Sequence, residues 1–325
     1  MLEIENPTAT LVRLLDKNMR VVKEDGSLAN VHVSAEWYDR ELLRHYDGQV
    51  TVGLDRSEDQ KLGFSATSRR RVGYSRINIW VIDKPGSVVG RELRNKLREE
   101  VNRIIREKRT KPNETNYDFL GVGQTTETHK AYHAESASEL VPGDAEWTEL
   151  TNMEYEKLWY SDDDRFSHST SVNLNYALLL FQFKVDPDEK IVKKIVLKFE
   201  RYGTAPTGNG FTIKVWNFTA SAWQNAQAGT GGEDETVTIT LTSSLTDFID
   251  VDGYVYLLAR TINASDGATA AVIYCDYSEC GVTVEGITYA DIVSYRDRDE
   301  VRVKPFLWRT EFTVKTWLFE NVTVM

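Results

Sequence analysis

The sequence predicts an α+β protein in which an antiparallel β-sandwich is inserted into a smaller, discontinuous α/β domain. Three observations predict this class. Short strand-like runs separated by Gly, Asp and Asn fill the middle of the chain, from about Ser171 to Gly286. A long amphipathic helix precedes them, and an alternating strand follows them near the end of the sequence.

Length and composition indicate two globular domains. The chain has 325 residues, of which 41% are hydrophobic, 27% charged and 11% aromatic. The run MLEIENPTATLVRLLDK lacks the basic start and unbroken apolar core of a signal peptide, and no run is long enough to span a bilayer. We therefore expect a soluble protein with no membrane partner.

The first domain begins with a short helix and two strands. Leu11, Leu14 and Leu15 in TLVRLLDK recur at the spacing of one helical face. The run QVTVGL predicts a short strand that ends at Gly53, and the alternating run GYSRINIWVID predicts a second strand.

A strong amphipathic helix follows these strands. Its apolar stripe consists of Leu93, Leu97, Val101, Ile104 and Ile105. The opposite side is basic, and cations crowd its C-terminal end, where they also interact favourably with the helix dipole.

The middle of the chain predicts a sandwich or jelly roll. Residues 112 to about 170 are expected to form a linker with short strands, and the strands beyond them are separated by turn-forming residues. A Gly-rich loop is expected around AQAGTGGEDE. The predicted strands lie in NYALLLFQFKV, KIVLKFERYG, FTIKVWNF, TVTITLTSS, YVYLLARTI and TAAVIYCDYS.

The closing strand, FLWRTEFTVKTWLFE, is separated from the sandwich by the charged run SYRDRDEVRVK. The helices and strands predicted between Thr10 and Lys111 are too few to cover each other's apolar faces. Another long strand would complete this domain, and the closing run can supply it. We therefore expect an α/β domain at 1–130 and 296–325, with a sandwich domain and its acidic linker inserted at 131–295.

This order of elements resembles the tail-terminator or tail-completion proteins of tailed viruses of bacteria and archaea. The resemblance lies in the GYSRINIWVID strand, the basic helix GRELRNKLREEVNRIIREKR and the closing aromatic strand, and it covers roughly residues 8–111 and 300–320. The inserted sandwich departs from the compact members of the family. Its run NGFTIKVWNFTASAWQN is similar to jelly-roll modules of the carbohydrate-binding type.

The resemblance implies a structural virion protein without enzymatic activity, assembled in the host cytoplasm. Members of that family form a ring, usually a hexamer, that caps the tail tube and joins it to the head. The expected partners are copies of the same chain, tail-tube proteins and head-connector proteins. DNA passing through the ring lumen and a surface glycan could be further partners.

Charge is unevenly spread along the chain. Between Lys61 and Lys111 there are fifteen Lys and Arg against five Asp and Glu, whereas Lys157 is the one cation among the acids of Glu135–Asp164. Two solvated surfaces or two docking faces both fit this asymmetry. The loop residues Arg69, Arg70 and Arg71, with Arg76 of the following strand, are expected to face DNA. Helix residues such as Arg94 and Arg98 are expected to pair with acids of a neighbouring subunit.

An alternative function is carbohydrate binding or adhesion through the sandwich. Tyr202, Trp216 and Trp223 could offer aromatic faces to sugar rings, although Trp216 in its alternating strand fits a core position better. A polysaccharide-active enzyme is a weaker third interpretation.

Motifs for catalysis, nucleotides and metals are absent from the sequence. GxSxG, HExxH, the P-loop and GxGxxG do not occur, and no cofactor is implied. His129 and His133 could share a helical face, but no third ligand has a suitable spacing. The run Asp162–Asp164 lacks the spacing of a calcium loop, and Cys275 and Cys280 are expected to be thiols.

Overall fold

The computed structural model describes residues 3–62, 68–84, 90–231, 234–302 and 304–321. Strands predominate over helices. The helices are α1 (Pro7–Asn18), α2 (Leu42–His45), α3 (Gly90–Glu107) and α4 (Asn152–Glu156). The strands are β1 (Val31–Ser34), β2 (Gly48–Lys61), β3 (Ser68–Ile82), β4 (Glu114–Tyr117), β5 (Lys130–Ser136), β6 (Thr148–Glu149), β7 (Phe166–Thr170), β8 (Tyr176–Lys184), β9 (Val192–Arg201), β10 (Gly203–Thr204), β11 (Phe211–Asn217), β12 (Ala222–Gly229), β13 (Glu235–Leu241), β14 (Tyr254–Thr261), β15 (Ala271–Cys275), β16 (Tyr277–Val284), β17 (Tyr289–Asp297) and β18 (Leu307–Asn321).

The chain divides into two compact units. One, here called the sandwich unit, comprises Asn116–Val284, and the other, here called the α/β unit, comprises Glu3–Thr115 and Glu285–Met325. The division differs from the predicted insertion at 131–295. The cause is that residues from 116 onward pack in the core of the sandwich unit, whereas β17 pairs with β18 in the α/β unit.

The α/β unit is built on one five-stranded sheet with the order β1-β2-β3-β18-β17. The closing strand β18 pairs antiparallel with β3 over its whole length, from Leu307 opposite Ile82 to Asn321 opposite Ser68. Strand β2 pairs antiparallel with the other edge of β3, and β1 adds a short parallel pair at Val31–Ser34. The closing strand, which was expected to supply a further strand to the first domain, therefore lies in one sheet with the GYSRINIWVID strand.

One face of this sheet packs against α1 and α3 and holds the core of the unit. The predicted stripe of α3 is buried, with Leu97, Val101 and Ile105 at 0% exposure. Strand positions Ile77 and Phe312 are equally buried in the same core. Burying each such side chain contributes about 1.5–3 kcal/mol, which is why the stripe fixes the helix on the sheet. We call this side the helix face and the opposite side the far face.

Helix α1 begins at Pro7, three residues before the predicted run TLVRLLDK. Pro7 occupies the first turn, and the side chain of Asn6 accepts a hydrogen bond from the backbone N–H of Thr8 at 2.9 Å. This cap satisfies a donor that has no partner within the helix. Leu11, Leu14 and Leu15 are buried in the core, as their spacing predicts.

The sandwich unit contains a six-stranded sheet, β12-β11-β14-β8-β5-β6, and a four-stranded sheet, β13-β9-β16-β4. A third, smaller sheet has the order β10-β15-β7. Side chains from the two larger sheets share one apolar core, for example Phe181 and Leu257 with Leu197 and Val282. The predicted strands in this region are confirmed, because each overlaps one of β8, β9, β11, β13, β14 or β15.

Several sequence predictions were wrong in length or type. Strand β2 continues past Gly53 to Lys61, and β3 begins at Ser68, so Arg69, Arg70 and Arg71 lie in a strand and not in a loop. Part of the predicted charged separator forms the end of β17, and β12 occupies the start of the expected Gly-rich loop. Within the described residues, no helix is long and apolar enough to cross a membrane.

Candidate functional site

The predicted basic residues of β3 lie on two different faces of the sheet. Ile77, on the helix face, fixes the alternation, which places Arg69 and Arg71 on that face and Arg70 and Arg76 on the far face. Neighbouring acids engage two of them, because Arg71 contacts Asp59 at 3.1 Å and Arg76 contacts Asp55 at 2.7 Å. The four arginines therefore do not form one continuous basic surface.

Arg94 is buried inside the α/β unit. Its side chain is 2% exposed, and its Nη1 atom lies 3.0 Å from Asp297 and 2.9 Å from Asp299. The same atom donates to the backbone carbonyl of Arg309 at 3.2 Å. This burial leaves Arg94 no surface for DNA or for a neighbouring subunit, so it ties α3 to the segment after β17.

Arg98 is also engaged within the unit. Its guanidinium lies 3.2 Å from Asp297 and 3.0 Å from Glu99, and it is positioned 5.6 Å from the ring centroid of Tyr295. Like Arg94, it pairs with acids, but in the described structure these acids belong to the same chain.

A stack of cations and aromatic rings crosses the far face. Tyr289 and Trp317 stack with ring centroids 4.1 Å apart. The guanidinium of Arg70 lies 5.1 Å from the centroid of Trp317, and that of Arg109 lies 5.2 Å from the centroid of Tyr289. Trp317 lies in the predicted closing strand, but the stack could not be predicted, because its partner Tyr289 lies in β17, which the sequence did not predict.

The neighbouring row of the far face repeats the same chemistry. Tyr74 pairs with Arg56 on one side and with Lys315 on the other. The guanidinium of Arg56 lies 4.3 Å from the centroid of Tyr74. Cations held over aromatic faces are ordered while keeping donors free for an anionic partner. The far face thus presents an ordered set of cations.

Glu311 forms a charged centre at the other end of β18. It is 8% exposed and accepts hydrogen bonds from Arg296 at 2.6 Å and from Arg309 at 2.9 Å. Burial alone would raise the pKa of Glu311, but the hydrogen bonds and charges of the surrounding arginines outweigh it and hold the pKa below its ordinary value. Glu311 therefore stays ionised and links β17 to β18.

The free edges of the five-stranded sheet are long. Strand β1 covers β2 only at Gly48–Thr51, which leaves the edge of β2 from Val52 to Lys61 without a neighbouring strand among the described residues. Strand β17 forms the opposite edge. Each edge carries a bulge, with register shifts at Leu54/Arg56 and at Ile292/Ser294.

The predicted glycan residues do not form a stacking platform. Trp216 is 9% exposed and meets Trp223 edge-on, with planes 71° apart. The indole N–H of Trp223 donates to the carbonyl of Leu140 at 2.8 Å, which fixes the ring against the unit. The ring of Tyr202 instead packs at a tilt on that of Tyr274 in β15, with centroids 4.5 Å apart.

The candidate metal residues are also engaged otherwise. Nδ1 of His129 accepts a hydrogen bond from the backbone N–H of Lys184 at 3.0 Å, and His133 packs on His168. Asp163 binds Arg201 at 2.8 Å. Across the part of the chain that the structure describes, no group of three or more His, Cys, Asp or Glu side chains could hold a metal ion. Cys275 and Cys280 are buried free thiols, and burial raises the pKa of both.

Comparisons with known proteins give little information about function. A family model described as "AF_1625_C: Uncharacterized protein, C-terminal domain" matches residues 126–284, within the sandwich unit. A comparison with curated proteins finds no match.

Solved structures of viral proteins match weakly. The enzymatically active domain of tailspike protein 4 of bacteriophage CBA120 aligns at 12% identity and a TM-score of 0.20, over 50% of this chain and 19% of that one. The chain thus spans about a fifth of the length of the tailspike chain. The top component of Cowpea mosaic virus aligns at 6% identity and a TM-score of 0.20, over 53% and 82% of the two chains. Broad Bean Stain Virus aligns at 8% identity and a TM-score of 0.15, over 65% and 89%. Scores this low carry no argument about fold or function.

Proposed function

We propose that this chain is a structural virion subunit that closes into a ring with copies of itself, serving as a tail terminator or neck subunit of a tailed virus. The ring, expected to be a hexamer, caps the tail tube and offers a surface to head-connector proteins. The observation that carries the proposal is the position of two exposed apolar side chains on opposite edges of the five-stranded sheet.

Leu54 and Val293 lie at the same height on the two free edges. Leu54 pairs with Ser75, Ser75 with Val314, and Val314 with Ile292, which directly precedes Val293. Leu54 is 52% exposed and Val293 is 57% exposed. Exposed apolar residues at an unpaired strand edge favour association, because burying them removes apolar surface from water.

The strand directions allow these edges to meet in a ring. Rotation about an axis roughly parallel to the strands leaves strand direction unchanged, so β17 of one copy would approach β2 of the next. Within the sheet, β2 runs antiparallel to β17, because three successive antiparallel pairs separate them. The contact would therefore be an antiparallel pair between two different edges, and a contact of this heterologous kind generates a ring if the rotation closes.

The far face supports a role around DNA. In such a ring one face of each sheet turns toward the lumen. The far face carries Arg56, Arg70 and Lys315, whose charge would attract the phosphate backbone without reading its sequence. Arg76 lies on the same face but is paired with Asp55. Arg69 and Arg71, on the helix face, would not take part.

Native mass spectrometry of purified protein tests the ring. We expect a closed oligomer for the wild type and a shift toward monomer for Val293→Lys and for Leu54→Lys, since each places a charge in the apolar contact. Val251→Lys is the matched control, because Val251 is 96% exposed in the sandwich unit. A wild-type monomer at all concentrations, or equal dissociation by the control substitution, would refute the proposal.

A further inference from the structure

A cleft of about 630 Å³ opens in the α/β unit between the segment after β1 and the segment before β18. Its apolar lining includes Ile82, Pro305 and Leu307, and its polar lining includes Tyr38, Arg40 and Arg302. This volume lies within the range of about 300–1,000 Å³ that is usual for ligand sites.

Two residues that line the cleft, Tyr38 and Asp299, are already fixed by contacts within the α/β unit. Tyr38 stacks on Trp80, with centroids 4.6 Å apart and planes 30° apart, and Arg309 lies 4.3 Å from the centroid of Trp80 on the same face of the sheet. Asp299, another lining residue, is bound to the buried Arg94. A ligand would therefore meet a formed surface and would not have to order these residues.

Two of the cations that line the cleft are available to bind an anion. Within the described ranges, neither Arg40 nor Arg302 has an ion-pair partner, and both side chains are exposed. The acids beside them do not balance both, because Asp299 is taken by Arg94. Glu300 is the remaining carboxylate of the lining. An arginine pair beside an apolar floor recognises a carboxylate attached to an apolar group.

We propose that this cleft docks a peptide segment of a partner protein in which acidic residues alternate with aliphatic ones. The carboxylates bind Arg40 and Arg302, and an aliphatic side chain packs on Ile82 and Leu307 beside the ring of Tyr38. The proposal concerns a site on a single chain and does not depend on ring formation.

A peptide fits better than a small free carboxylate because the binding surface extends past the cleft. Trp37 is 66% exposed, and its ring meets Trp80 edge-on at 6.1 Å, so it belongs to the same aromatic cluster as Tyr38. Exposed Trp, Tyr and Arg side chains beside a preformed cleft have the composition of an interaction hot spot. A ligand that fills only the cleft would leave Trp37 in water.

Isothermal titration calorimetry tests the site with an N-acetylated, C-amidated hexapeptide of alternating Asp and Leu. We expect saturable binding to the full-length chain and a loss of affinity of about tenfold or more in the double variant Arg40→Gln/Arg302→Gln, which loses two charge-assisted hydrogen bonds. The double variant Arg91→Gln/Arg106→Gln is the control, since both arginines are exposed on α3 and the charge change is the same. The same titration on the Val293→Lys variant, which is expected not to form the ring, shows whether peptide binding is independent of ring assembly.

Two further ligands sharpen the assignment. The same peptide with Asn for Asp should bind at least about tenfold more weakly, as should 4-methylpentanoate, which carries the carboxylate and the apolar group without a peptide. Equal binding of the Asn peptide, or equal loss in the two double variants, would overturn the proposal. Self-association of the wild type that the Arg40→Gln/Arg302→Gln variant abolishes would assign the cleft to a second copy and would also overturn it.

Discussion

Trp317 stacks on Tyr289 across the pair formed by β17 and β18, with ring centroids 4.1 Å apart and planes 19° apart. Arg109 donates from Nε to the hydroxyl of Tyr289 at 2.8 Å and lies 2.8 Å from Asp291. Arg109 and the two rings therefore link the residues just after α3 to the edge strand β17 and to the closing strand β18. Arg109 and Tyr289 are 180 residues apart in the sequence.

Replacing Trp317 by Ala should lower the free energy of unfolding by about 1–2 kcal/mol, because a half-buried aromatic side chain and its cross-strand partner are lost. The double variant with Tyr289→Ala isolates the stacking itself. We expect a coupling energy of about 0.5–1.5 kcal/mol between the two sites from urea unfolding. Strictly additive effects of the two substitutions would contradict a direct interaction.

Arg94 should be far more sensitive than the other arginines of its helix. Arg94→Ala leaves Asp297 and Asp299 without their buried partner, so we expect a loss of about 2 kcal/mol in thermal or denaturant unfolding. Arg91→Ala, which removes an exposed arginine three residues earlier, should stay within about 0.5 kcal/mol of the wild type. Similar losses in both variants would show that the ion pairs of Arg94 contribute nothing specific.

The sequence predicted elements best where one side of a helix or strand is buried in a core. The stripe from Leu93 to Ile105 and the alternation of β18 have a period that only one secondary structure satisfies, and both are observed. Strands β17 and β12 escaped prediction for the opposite reason. Much of each is exposed, so charged and small polar residues occur in it, and the pattern resembles a loop.

The candidate site was harder to predict than the fold. The sequence shows that arginines are clustered, but their function depends on which face each one occupies, and that follows from strand register. A strand predicted to start at Gly73 places Arg69–Arg71 in a loop, whereas the observed β3 separates Arg70 from its two neighbours. The burial of Arg94 depends on Asp297 and Asp299, whose proximity is a tertiary contact that no local pattern records.

Arg201 should be critical for the sandwich unit. Its side chain is 2% exposed and lies among three carboxylates, those of Asp163, Asp234 and the fully buried Asp276. Burial alone would lower the pKa of Arg201, but its hydrogen bonds to these carboxylates raise it above the ordinary value. Arg201→Ala should cost about 3–5 kcal/mol, since Asp276 would be left buried without a counter-charge.

Asp163→Asn provides the matched control for Arg201, because Asp163 is 80% exposed and is the most exposed of the three carboxylates. We expect it to cost less than about 1 kcal/mol in the same denaturant titration. If the two substitutions have equal effects, Arg201 is not compensating a buried charge.

The sandwich unit should lose stability in mild acid through His168. Its ring lies 4.5 Å from that of His133, between β7 and β5, and the charged groups that act on it are Glu135 of β5 and Glu154 of α4. Burial first, and then the neighbouring His133, lower the pKa of His168 to about 4. The neutral form is therefore favoured in the folded protein.

The direction of the pH effect follows from this shift. Above the ordinary histidine pKa of about 6.5, His168 is neutral in both states and its contribution to stability is complete. Between pH 6.5 and about 4 the unfolded chain binds a proton that the folded chain does not, so the melting temperature should fall as the pH is lowered. The melting temperature of His168→Gln should depend less on pH in this window, whereas His45→Gln, at an exposed position in α2, should keep the wild-type slope. If the melting temperatures of the wild type, His168→Gln and His45→Gln fall equally with pH, His168 is not the group that titrates.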